Sequence, residues 1–364
     1  MPTALLLVLA LVLPAAAADA PADPFTVSSA KLKSNDPMVR RQGADELGQM
    51  RNAAAEPLLL PLLADAHPFV RATAADALGI LRSRAAVPRL ADLLSNDKEP
   101  AVRQNAATAL AYIGDPSAVG ALMGAVRDGA APVRYAAVRT LGALRATPAV
   151  GPLGAALKDP DANLRRAAAS ALGQIGSKDA VPALQAALSD ADGGVRLEAV
   201  RALGLSGDPA ARPALAAALK DADAGARLQA AVSLARLGDP SGLETAYASL
   251  KSADPAVRQQ AANVVALVGD KEKGLAALEA ALAAEKDGAS RGVMEFARSQ
   301  LLARLGVREA PKPAPAAVKP APAVKPAPKP AAKPAPKPAV KPAPKPAAKP
   351  APKPVVKPAA RRTP

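Results

Sequence analysis

Apolar and polar positions along the chain recur with a period of 31 or 32 residues, and an arginine marks each period: Arg40, Arg71, Arg103, Arg134, Arg165, Arg196, Arg227 and Arg258. The residue before the arginine is apolar throughout, Val in six periods and Leu164 or Ala226 in the others. Three residues after it stands Ala, from Ala74 to Ala261, with Gly43 in the first period. Seven after it stands Leu, from Leu47 to Leu234, with Val265 in the last. These offsets lie on one side of an α-helix and predict an amphipathic helix with the arginine in its first turns. The small residue at the third position lets a neighbouring helix come close. A single such unit cannot bury its apolar face alone, so a period of this length predicts stacked units, a solenoid.

Start and stop signals frame the helices. Asp36, Glu99, Asp161, Asp192, Asp223 and Asp254 stand four residues before their arginines, and Pro37, Pro100 and Pro255 follow directly. An acid followed by proline reads as N-cap and first helical residue. His67, the one histidine, occupies the same offset before Pro68 and reads as a turn residue. Gly114, Gly176, Gly207, Gly238 and Gly269, eleven residues after the arginine, read as C-terminal stops. A second apolar stretch in each period, clearest in Val181–Leu188 and Arg212–Leu219, predicts a partner helix. Asp115-Pro116, Asp208-Pro209 and Asp239-Pro240 mark its start. Pro57, Pro88, Pro182 and Pro213 are expected to kink that helix or restart it. The expected fold is all-α, about eight two-helix units over residues 31–309, with residues 19–30 as a linker.

The two ends differ from the repeats. Ala4–Leu13 is an unbroken apolar run closed by Pro14 and followed by Ala15–Ala18. It is shorter than the roughly 20 residues a membrane span needs and matches the core of a secretory signal, expected to occupy residues 1–18 and to be cleaved after Ala18. Residues 310–364 alternate Lys-Pro-Ala-Pro and Lys-Pro-Ala-Ala units. They have no large apolar face and predict a disordered, extended polyproline-like tail. The formal charge of +15 belongs to this tail: thirteen of the 47 basic residues lie there with no acid, leaving 34 against 32 acids. A polycation of this kind reads either as a stiff spacer or as a tether to anionic polymers or lipid headgroups. Nucleic acid becomes the leading partner only if the chain is not exported, and the tail's lack of aromatic residues makes such binding independent of base sequence.

The pattern Asp-Pro…Val-Arg…Ala-Ala…Ala-Leu-Gly…Ile-Gly, followed by Ala-Val-Pro-x-Leu, resembles the HEAT-like repeat family, in the short form known from phycobilisome-lyase-type proteins and many bacterial scaffolds. The resemblance covers roughly residues 30–309. It implies a right-handed superhelix with the second helices lining the concave face. It also implies a structural ladder, in which each arginine bonds turn aspartates within and between units. The aspartates six residues before the arginines are Asp65, Asp97, Asp128, Asp159, Asp190 and Asp221, while Ser34 and Ser252 depart from the pattern. The competing reading of the arginines is an anion-binding stripe. On the concave face, exposed offsets one, five and nine after the arginine carry the candidate protein-binding residues Gln104, Thr108 and Tyr112, then Tyr135 and Arg139, then Arg166, Ser170 and Gln174. Tyrosine and arginine are frequent interface anchors.

With no cysteine and one histidine, thiolate zinc sites, cysteine nucleophiles, histidine triads and multi-histidine iron sites are excluded. No cofactor is expected. The expected function is a non-enzymatic protein–protein scaffold of the bacterial envelope, acting as a monomer. The alternatives are a cytoplasmic scaffold or nucleic-acid-associated protein and, third, a bilin-lyase-like enzyme.

Overall fold

The computed structural model describes residues 23–307, and every regular element in that stretch is helical. Eighteen α-helices form nine successive pairs. They are α1 (Pro24–Lys31) with α2 (Pro37–Gln49), α3 (Glu56–Leu59) with α4 (Pro68–Ile80), and α5 (Val87–Asn96) with α6 (Pro100–Ile113). Next come α7 (Val119–Ala125) with α8 (Ala131–Ala143), α9 (Val150–Ala156) with α10 (Ala162–Ile175), and α11 (Val181–Ala187) with α12 (Gly193–Ser206). The last are α13 (Arg212–Ala218) with α14 (Ala224–Arg236), α15 (Leu243–Ser249) with α16 (Pro255–Val268), and α17 (Lys273–Ala284) with α18 (Gly288–Arg304). The proposed signal, residues 1–18, and the tail, 310–364, lie outside the described residues.

The first pair begins inside the stretch expected to be a linker. Asp23 accepts from the backbone amides of Phe25 and Thr26, and Pro24 sits in the first turn, so residues 24–31 are helical. The ninth pair extends the arginine series to Arg291, which stands 33 residues after Arg258 and so falls off the period of 31 or 32.

Second helices start where the acid-proline signals stand. Pro37, Pro68, Pro100 and Pro255 are first helical residues. Asp36, Asp161, Asp192, Asp223 and Asp254 accept backbone N–H bonds as N-caps, whereas Glu99 and His67 make no side-chain cap bond. The His67 ring instead packs 5.2 Å from that of Phe69. The prolines of the first helices restart them. Pro88, Pro182 and Pro213 are each the second residue of an α-helix that follows a short 3-10 turn, where a missing N–H costs no helical bond. Asp115, Asp208 and Asp239 cap the 3-10 turns that lead into α7, α13 and α15.

The leucines seven residues after the arginines are buried, each contributing about 1.5–3 kcal/mol by leaving water. Alanines at the third offset are fully buried as well, and consecutive second helices also approach closely at the eighth. A Cβ on Gly79 would lie 2.8 Å from Ala109 Cα, and Gly48, Gly142 and Gly204 meet Ala77, Ala171 and Ser233 as closely. Consecutive second helices therefore touch backbone to backbone there.

The stop position is left-handed whether or not it holds glycine. Gly114, Gly176, Gly207 and Gly238 have φ between 66° and 74°, and Arg51, Arg82 and Arg145, at the same offset, have φ of 51°, 53° and 50°. Gly269 departs, being extended. A side chain in this region costs about 1 kcal/mol or more. Arg82→Gly and Arg145→Gly are therefore each expected to raise stability by about 1 kcal/mol, read as the shift of the denaturation midpoint. No gain from either would show that another contact of those arginines offsets the strain.

Candidate functional site

At the turn that opens each second helix, the arginine reaches in two directions. Arg71 Nε and Nη2 donate to Asp97 Oδ2 and Oδ1 at 2.7 and 2.9 Å. Its Nη1 donates to the carbonyls of Asp65 and Ala66 at 2.9 and 3.2 Å. The planar fork suits this bidentate grip, which a lysine could not make. Arg40–Asp65, Arg103–Asp128, Arg165–Asp190 and Arg196–Asp221 repeat it at 2.7–3.0 Å. Each carboxylate also accepts the amide two residues on, as Asp97 does from Glu99 at 2.9 Å, and so holds its own turn.

This differs from the expected ladder in one respect. The aspartate carboxylates serve the arginine of the preceding unit only, and within a unit the arginine takes the aspartate's backbone carbonyl. Asp97 Oδ1 accepts both the local Glu99 amide and Arg71 Nη2, so one oxygen ties its own turn to the preceding unit. Arg134 is the loosest rung: its Nη2 is 3.4 Å from Asp159 Oδ1, and its Nε, 3.1 Å from Oδ2, makes no hydrogen bond. The last rung is one that sequence reasoning missed. Arg258 Nε and Nη2 both donate at 2.7 Å to Glu285, which stands 27 residues on rather than 25 or 26. The longer side chain spans the longer turn, and Arg291 Nη2 takes the Glu285 carbonyl at 2.7 Å.

The bonds from Arg40, Arg103, Arg165 and Arg196 hold Asp65, Asp128, Asp190 and Asp221 below the usual carboxylate range. For Asp97 burial opposes, but the bonds from Arg71 and the Glu99 amide win and its value is also lowered. Glu285 is held down to about 2 by Arg258.

The other candidates lie on the second helices. Tyr135, Arg139, Arg166, Ser170 and Gln174 converge on a groove of about 460 Å³ between α8 and α10, joined by Asn163 and by Glu198 from α12. Asn163 and Glu198 stand two residues before and after their respective arginines, in a row beside offsets one, five and nine. Gln104, Thr108 and Tyr112 lie on α6 outside this groove. There Tyr112 is 58 % exposed, and Thr108 Oγ1 donates back to the Gln104 carbonyl at 3.0 Å. The Arg139 guanidinium sits 5.7 Å from the centre of the Tyr135 ring, one helical turn away, in a cation–π contact. Arg166 pairs with Asp192 at 3.0 Å, and Gly194 makes room for it, since a Cβ there would lie 2.5 Å from its Nε.

The exposed offsets carry more than the eight candidates. Eleven large apolar side chains are exposed among the described residues, and six fall on offsets one, five or nine: Ile80, Tyr112, Tyr135, Leu205, Leu267 and Phe296. Toward the N-terminal end the same row turns acidic. Burial, with Asp45 adding, pushes Asp76 up to about 6, and Asn105 donates to it at 2.8 Å. Among the described residues no cluster of His, Cys, Asp or Glu is placed to hold a metal ion, and no helix is long and apolar enough to cross a membrane.

Nine helix pairs joined by an arginine–carboxylate ladder define an α-solenoid of short helical repeats. The chain belongs to the HEAT-repeat family, whose model matches residues 29–100, 87–153, 150–232 and 213–297. Among solved structures it is similar to Escherichia coli YibA, at 23 % identity over 74 % of this chain and 97 % of that one, with a TM-score of 0.52. An engineered protein is similar at 21 % identity, over 77 % of this chain and 89 % of that one, with a TM-score of 0.51. The CpcE–CpcF complex of phycocyanin lyase from Nostoc sp. PCC7120 aligns at 27 % identity over 64 % of this chain and 96 % of that one, with a TM-score of 0.40. No curated protein matches the chain.

Proposed function

We propose that this protein is a non-enzymatic scaffold of the bacterial envelope that holds a protein partner along the exposed face of its second helices. The observation that carries this reading is the concentration of exposed apolar side chains on that face, with the Tyr135–Arg139 pair at the groove. Scattered apolar residues are ordinary on a surface, but a row repeated from unit to unit is a feature of binding faces. The apolar run Ala4–Leu13 supports export, and the lysine-rich segment supplies reach or a tether to anionic envelope polymers.

The test is capture of partners by the full chain, with the captured protein identified and its affinity measured. Tyr135→Ala with Arg139→Ala is expected to weaken that affinity about 30-fold, the loss of roughly 2 kcal/mol that an aromatic or arginine anchor carries. Removing residues 311–364 is expected to leave this affinity in place and to abolish any salt-sensitive retention on envelope polymers. Unchanged affinity in the double variant would remove the groove from the binding face. N-terminal sequencing of the mature protein is expected to begin at Asp19, and an intact Met1 would overturn export.

A further inference from the structure

The ladder is interrupted at one junction. The carboxylate that would answer Arg227 should stand at residue 252, which is serine. Ser252 keeps half of the aspartate's work: its Oγ accepts the Asp254 amide at 3.2 Å, as each ladder aspartate accepts the amide two residues on. It brings no acid to the arginine. Arg227 Nη1 holds the carbonyls of Asp221 and Ala222 at 2.7 and 3.0 Å, as the arginines from Arg40 to Arg258 all do in their own units, which fixes the plane of the guanidinium. Among the described residues no carboxylate bonds its Nε and Nη2.

Two further features mark the place. Beside Arg134 the groove is lined by the residues seven before and twenty-four after the arginine, Arg127 and Lys158, and beside Arg258 by Lys251 at the first of these positions. In the repeat register both positions at Arg227 are cationic, Lys220 and Lys251. The nearby acids are engaged: Asp221 is gripped by Arg196, and Asp254 caps α16 through the Ala256 amide. The buried core also divides at α14, whose Ala230 and Leu234 close one cluster while its Leu228, Ala231 and Ala235 open the next, shared with α15 and α16.

We propose that the Arg227 rung is a carboxylate-binding site, which takes an aspartate or glutamate side chain of a partner peptide between Arg227 and the Ser252 turn. The chain itself displays the bound geometry, because six other arginines in the same setting grip a carboxylate through Nε and Nη2 at 2.7–3.0 Å. A ligand so held would join the α13–α14 unit to the α15–α16 unit. The site shares no residue with the groove of Tyr135 and Arg139 and stands or falls apart from it.

The test uses the full-length protein, its arginine Nε–H signals observed by NMR at constant ionic strength. N-acetyl-aspartate amide is expected to move one arginine signal progressively downfield. That signal should be missing from Arg227→Gln and should not respond to N-acetyl-asparagine amide. Ser252→Asp supplies the carboxylate internally. It is expected to raise Tm by about 2 °C, the effect of roughly 1 kcal/mol in a domain of this size, and to abolish the response to added aspartate amide. The proposal is overturned if the aspartate and asparagine compounds act alike, if the responding signal survives in Arg227→Gln, or if Ser252→Asp still responds.

Discussion

Asp97→Ala is expected to destabilise the protein by about 3 kcal/mol, the scale for removing one partner of a largely buried ion pair. The Asp97 side chain is 4 % exposed and that of Arg71 14 %, so the guanidinium left behind gains little water. The turn is injured too, since Glu99 loses the acceptor of its backbone amide. In a repeat array stability is a sum of unit and interface contributions, so removing one rung acts on one interface. Urea denaturation should therefore separate into two phases, α1–α4 parting from the rest. Replacing both partners, Arg71→Met with Asp97→Leu, is expected to cost less than the sum of the single changes, because no charge is stranded. A loss below about 0.5 kcal/mol, the scale of an ordinary surface change, would show the ladder to be ornamental to stability.

The same pairs set the acid limb of the pH profile. A carboxylate whose folded pKa lies below its unfolded value stabilises the fold above the unfolded value, and that contribution is lost as pH falls through the folded one. Asp65, Asp97, Asp128, Asp190, Asp221 and Glu285 all have this sign, so the loss comes below about pH 4. Asp76 has the opposite sign. Its raised value of about 6 means that its charge is a cost at neutral pH, relieved as pH falls toward 4.

What could be read in advance was what a single unit specifies by itself. The period, the N-cap and proline signals and the buried offsets are local, and each is written in residues a few positions apart. What could not be read were relations between units. Nothing local says that Asp97 answers Arg71 rather than Arg103, and Glu285 and Arg291 fall off the period because the last turn is longer. Arg51, Arg82 and Arg145 hold a left-handed conformation suited to glycine because stacking dictates the bend there, whatever residue arrives. Asn163 and Glu198 reach the groove from a neighbouring row, because a groove between helices collects side chains from more than one offset.

The glycines at the eighth offset provide the sharpest case of such a relation, since one substitution has opposite effects by location. Gly79→Ala gains about 1 kcal/mol of helix propensity. Its new Cβ, however, would stand 2.8 Å from Ala109 Cα and 3.0 Å from Ala109 Cβ. Backbone cannot yield as a flexible side chain would, and overpacking of this kind costs about 1–3 kcal/mol. The steric effect wins, with an expected net loss of about 1 kcal/mol for alanine and about 3 kcal/mol for Gly79→Leu, where α4 and α6 must separate. Gly124 in α7 is the control, because a Cβ there meets nothing within 4 Å. Gly124→Ala should stabilise by about 0.5–1 kcal/mol, for propensity acts unopposed. Equal shifts of the denaturation midpoint at the two sites would mean that backbone contact at the eighth offset does not set the spacing of the second helices. Opposite shifts are expected, because the repeat tolerates any small residue where helices face solvent but only glycine where α4 meets α6.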